Sequence, residues 1–310
     1  GGILIRAYMS SGTFTFTDVR HFWIRRWFRT LPNFWLILTI NIILYKIMKF
    51  GGFEPYKFLY YFFLQNIWTP HPPFFFGEAW SLSVEEWFYL TVPVFMLIAA
   101  AIAKPVNKQK FLFNTFLSYL LVFLSVRVIN AFNPLNGPDQ DAGIRKVVLF
   151  RLDAVMYGVI FAYFSYFKGE LLHRLKNYLL LASIAGTVFI YYIITDTGLN
   201  VFASSNPTLR FASDAFLYLL IPFVFALCLP YAASTGTRHH NILTRFIQHI
   251  SKISYSMYLV HYSLVFIPFF CFLKVDGHTT TVLLYILYWA IVIVLSSLLY
   301  KYFEYPVMKL

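Results

Sequence analysis

The stretch "GEAWSLSVEEWFYL", Gly77 to Leu90, decides the fold class. It holds two adjacent carboxylates, Glu85 and Glu86. It then runs into an apolar segment, Trp87 to Ala103, interrupted only by Thr91 and Pro93. Such a run, at about 1.5 Å per residue, is of the length that crosses a hydrocarbon core of about 30 Å. Similar runs recur along the 310 residues, which are 59% hydrophobic, 21% aromatic and 12% charged. That charged fraction is about half of what a soluble domain carries, and the mean hydropathy is +0.65. The chain is therefore predicted to be all-α, a polytopic transmembrane helical bundle. Its many aromatic residues suit interfacial belts and helix packing.

Working outward from that segment, apolar runs place spans at 33–49, 82–103, 111–133, 148–167, 178–196, 213–232, 255–273 and 281–302, eight in all. A further segment, 56–68, is too short to cross and reads as interfacial or re-entrant. With eight spans, Arg6, Arg20, Arg25, Arg26, Arg29, Lys104, Lys108, Lys110, Lys168, Arg174, Lys176, Arg238, Arg245, Lys252 and Lys309 share one side. The other side is poorer in Lys and Arg and holds Glu54, Glu78, Asp139 and Asp141. The positive-inside rule then places both ends in the cytoplasm. No internal repeat is evident, and residues 1–310 read as a single membrane domain.

The net charge of +12 has a plain account in this setting. Lys and Arg mark cytoplasmic loops and meet anionic lipid. No basic stripe interleaved with aromatics lies outside the membrane, so the expected partners include membrane lipids and no nucleic acid. Cys228 and Cys271 lie in apolar runs without a CxxC spacing. No metal-ligand spacing, P-loop or dinucleotide-binding glycine pattern occurs, so no metal is expected.

Five polar constellations need explaining. In "RHFWIRRWFRTLPNFW", Arg25, Arg26 and Arg29 precede the first complete span, and Arg25 and Arg29 share a helix face. They serve either as positive-inside anchors or as a site for a phosphorylated polyanion. Pro32 is expected to break or kink the chain there. In the opening stretch, Ser83 and Glu86 have capping-box spacing, whereas Glu85 has no such local role and stacks between Ser81 and Tyr89. Arg151 and Asp153 lie near one end of a span, as does Arg127. Together with Glu85 they read as an outward-facing polar cluster or a structural ion-pair knot. In "ISYSMYLVHYSLV", Ser254, Tyr258 and His261 recur along one helix face, and His261 suits binding or proton relay. Glu304, in "YKYFEYPVMKL", has a local partner in Lys301 and lies on the same side as the arginine cluster.

Taken together, these residues resemble the acyltransferase-3 family of integral membrane acyltransferases. The matching pieces, in order, are "GGILI", "RRWFRTLP", "WSLSVEEWFYL", "RLDAVMYG", "ISYSMYLVHYSL" and "YFEYP". The second and third are the specific ones. The resemblance implies about ten helices, of which about eight are present. "GGILI" then reads as the cytoplasmic end of a second helix, and the family's usual catalytic histidine, in the first helix, has no counterpart here. It implies transfer of an acyl group, by default acetyl, from cytoplasmic acyl-CoA to a hydroxyl of an extracytoplasmic or lipid-linked glycan. Acyl-CoA and cell-envelope carbohydrate would then be partners, in a bacterial inner membrane. On this reading Arg25, Arg26, Arg29, Ser254 and Tyr258 hold the donor. Glu85 and His261 are the catalytic candidates, and Trp80, Arg151 and Asp153 face the acceptor. A membrane transporter or glycan-export partner, and an inactive truncated acyltransferase, are the alternatives.

Overall fold

The computed structural model describes residues 2–10, 14–48, 55–72, 75–103, 106–133, 135, 140–195, 206–235, 242–272 and 278–309. The expectations resting on Gly1, Glu54, Lys104, Asp139 and Arg238 lie outside these residues. Among the described residues there is no strand. The α-helices, in chain order, are α1 (Gly2–Ser10), α2 (Phe16–Ile47), α3 (Ala79–Ala103), α4 (Lys108–Phe132), α5 (Leu152–Phe167), α6 (Gly169–Thr195), α7 (Pro207–Ala212), α8 (Tyr218–Ala226), α9 (Leu229–Ser234), α10 (Ile242–Val260), α11 (Ile267–Phe272), α12 (His278–Leu299) and α13 (Tyr305–Val307). Short π-helical stretches at Asp141–Arg145, Ser213–Leu217, His261–Phe266 and Tyr300–Glu304 interrupt or join them.

Among the described residues, six helical runs are long and apolar enough to cross a membrane: Phe16–Ile47, Ala79–Ala103, Lys108–Phe132, Gly169–Thr195, Pro207–Ser234 and Thr281–Val307. The other two expected spans fall on the shorter apolar helix Leu152–Phe167 and on the run from α10 through the His261–Phe266 π-helix into α11. The short segment is a 3-10 helix, Pro55–Phe62, of 8 residues. At about 2 Å per residue it extends roughly 16 Å, about half of a bilayer core.

One sequence expectation is narrowed and another corrected. Of the two outcomes expected at Pro32, a break does not occur: α2, 32 residues in all, continues through it. At about 1.5 Å per residue that is roughly 48 Å, so the basic residues ride on a helical extension of the apolar part. Ser83 is not an N-cap, because α3 begins four residues earlier at Ala79, whose N–H donates to the Phe76 carbonyl at 3.0 Å. An N-cap needs non-helical backbone, and Ser83 sits a turn inside the helix.

The helices fall into two units. The first comprises Gly1–Phe22, Asn66–His71 and Ser83–Gly236. Its core includes Ile144, Val147, Phe150 and Tyr218, and a second cluster of Ile190, Leu217 and Val224. Within it α6 approaches α8 so closely that a Cβ on Gly186 would lie 2.9 Å from both Val224 methyl groups. The missing side chain is what permits this approach.

The second unit comprises Trp23–Gln65, Pro72–Leu82 and Thr237–Leu310. Here the 3-10 helix is tied to α2 by Trp35 Nε1, which donates to the Tyr61 carbonyl at 3.1 Å, and by a 2.8 Å bond between Thr39 and Tyr61. Tyr60 Oη donates to the Phe75 carbonyl at 3.1 Å. Phe76, at φ 43°, is in the left-handed region, which costs a residue with a Cβ about 1–2 kcal/mol. Its ring is buried and stacks on Phe34 at 5.6 Å, which fixes the turn that leads into α3.

Candidate functional site

In the second unit, the basic part of α2 places Arg25 and Arg29 one turn apart, both exposed. With Ile24, Phe28 and Met308 they line a cavity of about 450 Å³. Arg26 points elsewhere on the helix and is half-buried. Two guanidinium groups over apolar walls can hold a ligand that carries phosphate at one point and an apolar body beside it.

Just beyond this basic face the chain buries a carboxylate. Glu304 is 3% exposed and accepts from Ser256 Oγ at 2.5 Å and Asn33 Nδ2 at 3.1 Å. Asn33 Nδ2 also donates to Ser256 Oγ at 3.1 Å, and Arg29 acts on Glu304 electrostatically. The expected local pairing with Lys301 is not what holds Glu304. The Lys301 amine lies over the Tyr302 ring, 5.1 Å from its centre. A buried carboxylate needs close donors, and α2 and α10 supply them.

The same unit contains His261, at the first position of its π-helix and half-buried. Its Nδ1 lies 2.7 Å from the Tyr258 carbonyl. A carbonyl only accepts, so in the neutral ring Nδ1 carries the proton and Nε2 is the lone-pair nitrogen. Tyr258 Oη donates to the Glu78 carbonyl at 2.6 Å, so the 2.5 Å contact with Ser81 Oγ is a bond that Ser81 donates. Glu78 is 5% exposed and accepts from the N–H of Ser263 at 3.1 Å and its hydroxyl at 2.6 Å. Glu78 stands just ahead of α3, and burial pushes its carboxyl up to about 7, against the downward pull of the Ser263 donors. Ser254, expected beside Tyr258 and His261, is exposed, and its hydroxyl donates to the Ser251 carbonyl at 3.0 Å. Ser254 lies in the regular part of α10, seven residues before the π-helix begins, and it is Ser256 on that helix that is buried. Trp80 sits half-buried in the first turn of α3.

The first unit holds the other candidates. Glu85 is half-buried and accepts from Tyr89 Oη at 2.6 Å, the four-residue stacking expected. Asp153 pairs with Arg127 at 2.8 Å, both fully buried. Arg127 also donates to the carbonyls of Phe150 and Ala215, each at 3.1 Å. The pair is thus the knot variant of the expected cluster, with no face of Asp153 open to a ligand. Arg151 acts on Asp153 electrostatically and donates to the Tyr218 carbonyl at 3.1 Å, its guanidinium 5.2 Å from that ring's centre. Nearby, Gln140 Nε2 bonds to Asp214 and, at 2.8 Å, to Ser213.

Sequence reasoning missed Glu78, Ser263, Asn33 and Ser256 as members of polar sites. A signal existed for the serines: Ser256 and Ser263 are seven residues apart in the His261 segment and share a helical face by spacing. Nothing in the sequence singles out Glu78 from the other acidic loop residues.

The family model Acyl_transf_3, described as "Acyltransferase domain", matches residues 4–301. No curated protein and no solved structure matches the chain. With nearly its whole length on that model and its helices suited to a bilayer, the chain belongs to the acyltransferase-3 family and is a multi-pass integral membrane acyltransferase.

Proposed function

We propose that this acyltransferase takes an acyl group, acetyl by preference, from acyl-CoA at the cytoplasmic face of a bacterial inner membrane. It delivers the group to a hydroxyl of an extracytoplasmic or lipid-linked glycan. The observation that carries the donor assignment is the cavity lined by Arg25, Arg29, Ile24, Phe28 and Met308. Two planar forks a turn apart suit the phosphates of CoA, and the apolar walls suit its less polar parts. Arg26 adds positive charge to the same end of α2. The excess of Lys and Arg on that side supports a cytoplasmic placement.

In the transfer, the glycan hydroxyl oxygen attacks the thioester carbonyl carbon and gives its proton to a base. The tetrahedral oxyanion then collapses, the C–S bond breaks, and the thiolate leaves to be protonated as free CoA. His261 is assigned as the proton acceptor, because its Nδ1–H is committed to the Tyr258 carbonyl and Nε2 is left with the lone pair. Tyr258 borders it. Trp80 offers an aromatic face to a sugar, and Glu85, bonded to Tyr89, is assigned to orienting the acceptor. The buried Arg127–Asp153 pair and Arg151 are assigned to holding the first unit together. Membership of an acyltransferase family leaves the transporter reading without a supporting observation.

The test is binding of radiolabelled acetyl-CoA to membranes carrying the chain and its Arg25→Ala/Arg29→Ala variant. Loss of two charge-assisted contacts should weaken binding by about 100-fold or more. Unchanged binding would remove the donor assignment.

A further inference from the structure

The helix that carries His261 changes its pairing at that residue. α10 ends at Val260, and His261–Phe266 is π-helical, with the N–H of Ile267 donating five residues back to Tyr262. Passing from four-back to five-back pairing adds one residue to the turn. The junction then has one N–H more than it has carbonyls to receive them. Ser263 lies in that junction, and its N–H donates to Glu78 Oε1 at 3.1 Å while its hydroxyl donates to Oε2 at 2.6 Å. Five residues back from Ser263 is Tyr258, whose carbonyl instead accepts His261 Nδ1 at 2.7 Å.

We infer that Glu78 is a positioning residue for His261. By accepting the surplus Ser263 N–H it holds the π-helical register in which the Tyr258 carbonyl is reserved for His261 Nδ1–H and Nε2 carries the lone pair. The turn before α3 is built to place this carboxylate. Tyr258 Oη holds the Glu78 carbonyl at 2.6 Å, so backbone and side chain of Glu78 are tied to the same segment. Gly77 lets Tyr262 come close: a Cβ there would be 3.1 Å from the Tyr262 ring. Tyr288 Oη, donating to the His261 carbonyl at 3.3 Å, braces the turn from α12. The consequence for catalysis rests on the proposed role of His261. The effect on its tautomer does not.

The experiment is ¹⁵N-histidine solid-state NMR on the whole chain in liposomes, with the His261 signals identified by their loss in His261→Asn. Nitrogen shifts report which ring atom bears the proton. In the parent protein the Nδ1–H form is expected. Glu78→Ala should move His261 to a mixture or to the Nε2–H form. Glu78→Gln, whose amide oxygen still accepts an N–H, should restore the parent signal, and Ser263→Ala, which keeps the N–H, should leave it in place. If Glu78→Ala does not accumulate in membranes, Glu78→Leu fills the volume without an acceptor and repeats the comparison. A parent-like tautomer in Glu78→Ala or Glu78→Leu would overturn the inference. So would a Ser263→Ala change as large as that of Glu78→Ala.

Acetyl transfer read in parallel should fall on the order of 100-fold in kcat for Glu78→Ala, with KM for acetyl-CoA unchanged. A moved tautomer in Glu78→Ala with transfer unchanged from the parent would sink the catalytic reading of His261 and leave the positioning role standing. Normal transfer with an unmoved tautomer would sink the positioning role alone.

Discussion

Ser263 gives both of its donors to one carboxylate 185 residues away in sequence, its N–H to Glu78 Oε1 at 3.1 Å and its hydroxyl to Oε2 at 2.6 Å. This pairing joins the turn ahead of α3 to the π-helix that begins at His261. It also gives the protein a titrating group with a defined sign.

Burial lifts the Glu78 carboxyl to about 7 from its ordinary 4.5, with the Ser263 donors opposing. The folded protein therefore binds a proton there that the unfolded chain has released. The contribution to stability is full below about 4.5 and is lost as pH rises through about 7. Asp141 behaves oppositely. Burial pushes its carboxyl up, but Arg145 and Lys146 outweigh burial and hold it below its ordinary value. Its contribution is present above that value and is lost as pH falls. The thermal midpoint in detergent should drop between roughly pH 5 and pH 7.5. Glu78→Gln should flatten that limb, and Asp141→Asn should soften only the acid limb. A Glu78→Gln protein with the parent slope would show that another group is responsible.

The Arg25 and Arg29 prediction separates charge from shape. Arg25→Lys keeps the charge and loses the planar fork. It should weaken acetyl-CoA binding by about threefold to tenfold, against tenfold or more for Arg25→Ala. Saturating kcat should not change, and raising salt should weaken binding, because both side chains are exposed. Saturation kinetics at two ionic strengths check this. A fall in kcat with constant KM would place these arginines in the chemistry instead.

For the Arg127–Asp153 pair, both partners are fully buried. Removing one leaves an uncompensated charge, which costs about 3–5 kcal/mol. Asp153→Ala should therefore lower the melting temperature sharply, and Arg127→Met/Asp153→Leu should recover much of the loss. Fluorescence-detected thermal melts measure it. An Asp153→Ala protein that melts normally but transfers poorly would restore Asp153 as an acceptor-binding residue.

Gly186 tests the approach of α6 to α8. Its added Cβ would meet the Val224 methyl groups at 2.9 Å, so Gly186→Ala should cost about 1–3 kcal/mol by overpacking. Val224→Ala in the same chain should relieve that cost. If Gly186→Ala alone melts like the parent, the two helices are looser there than the structure has them.

The Glu304 site makes a last prediction. Ser256→Ala removes the donor at 2.5 Å and leaves Asn33 alone on that carboxylate oxygen. A buried acceptor deprived of a donor costs about 1–3 kcal/mol, which should appear as a lower melting temperature. Ser256→Thr, which keeps the hydroxyl, should lose less. Equal losses in the two variants would assign the effect to packing.

What the sequence determined is what short-range periodicity carries. The long apolar runs made the chain a bundle of membrane helices, because backbone polar groups in lipid must be satisfied within the segment. The four-residue spacing put Arg25 with Arg29 and Glu85 with Tyr89, since those positions stack on any helix. The order of the motifs named the family. The tertiary structure decided everything that depends on which helices meet. The sequence required a partner for each buried carboxylate, but Arg127 for Asp153, Ser256 and Asn33 for Glu304, and Ser263 for Glu78 lie 26 to 271 residues away. It also decided where helical pairing changes. The start of α3 at Ala79, its N–H on the Phe76 carbonyl, displaced the cap expected at Ser83. Ser254, expected on one face with Tyr258 and His261, is left exposed, while Ser256 on the same helix is buried against Glu304. Both follow from hydrogen bonds and burial that distant residues supply, and these override a local pattern whose own preference amounts to about 1 kcal/mol.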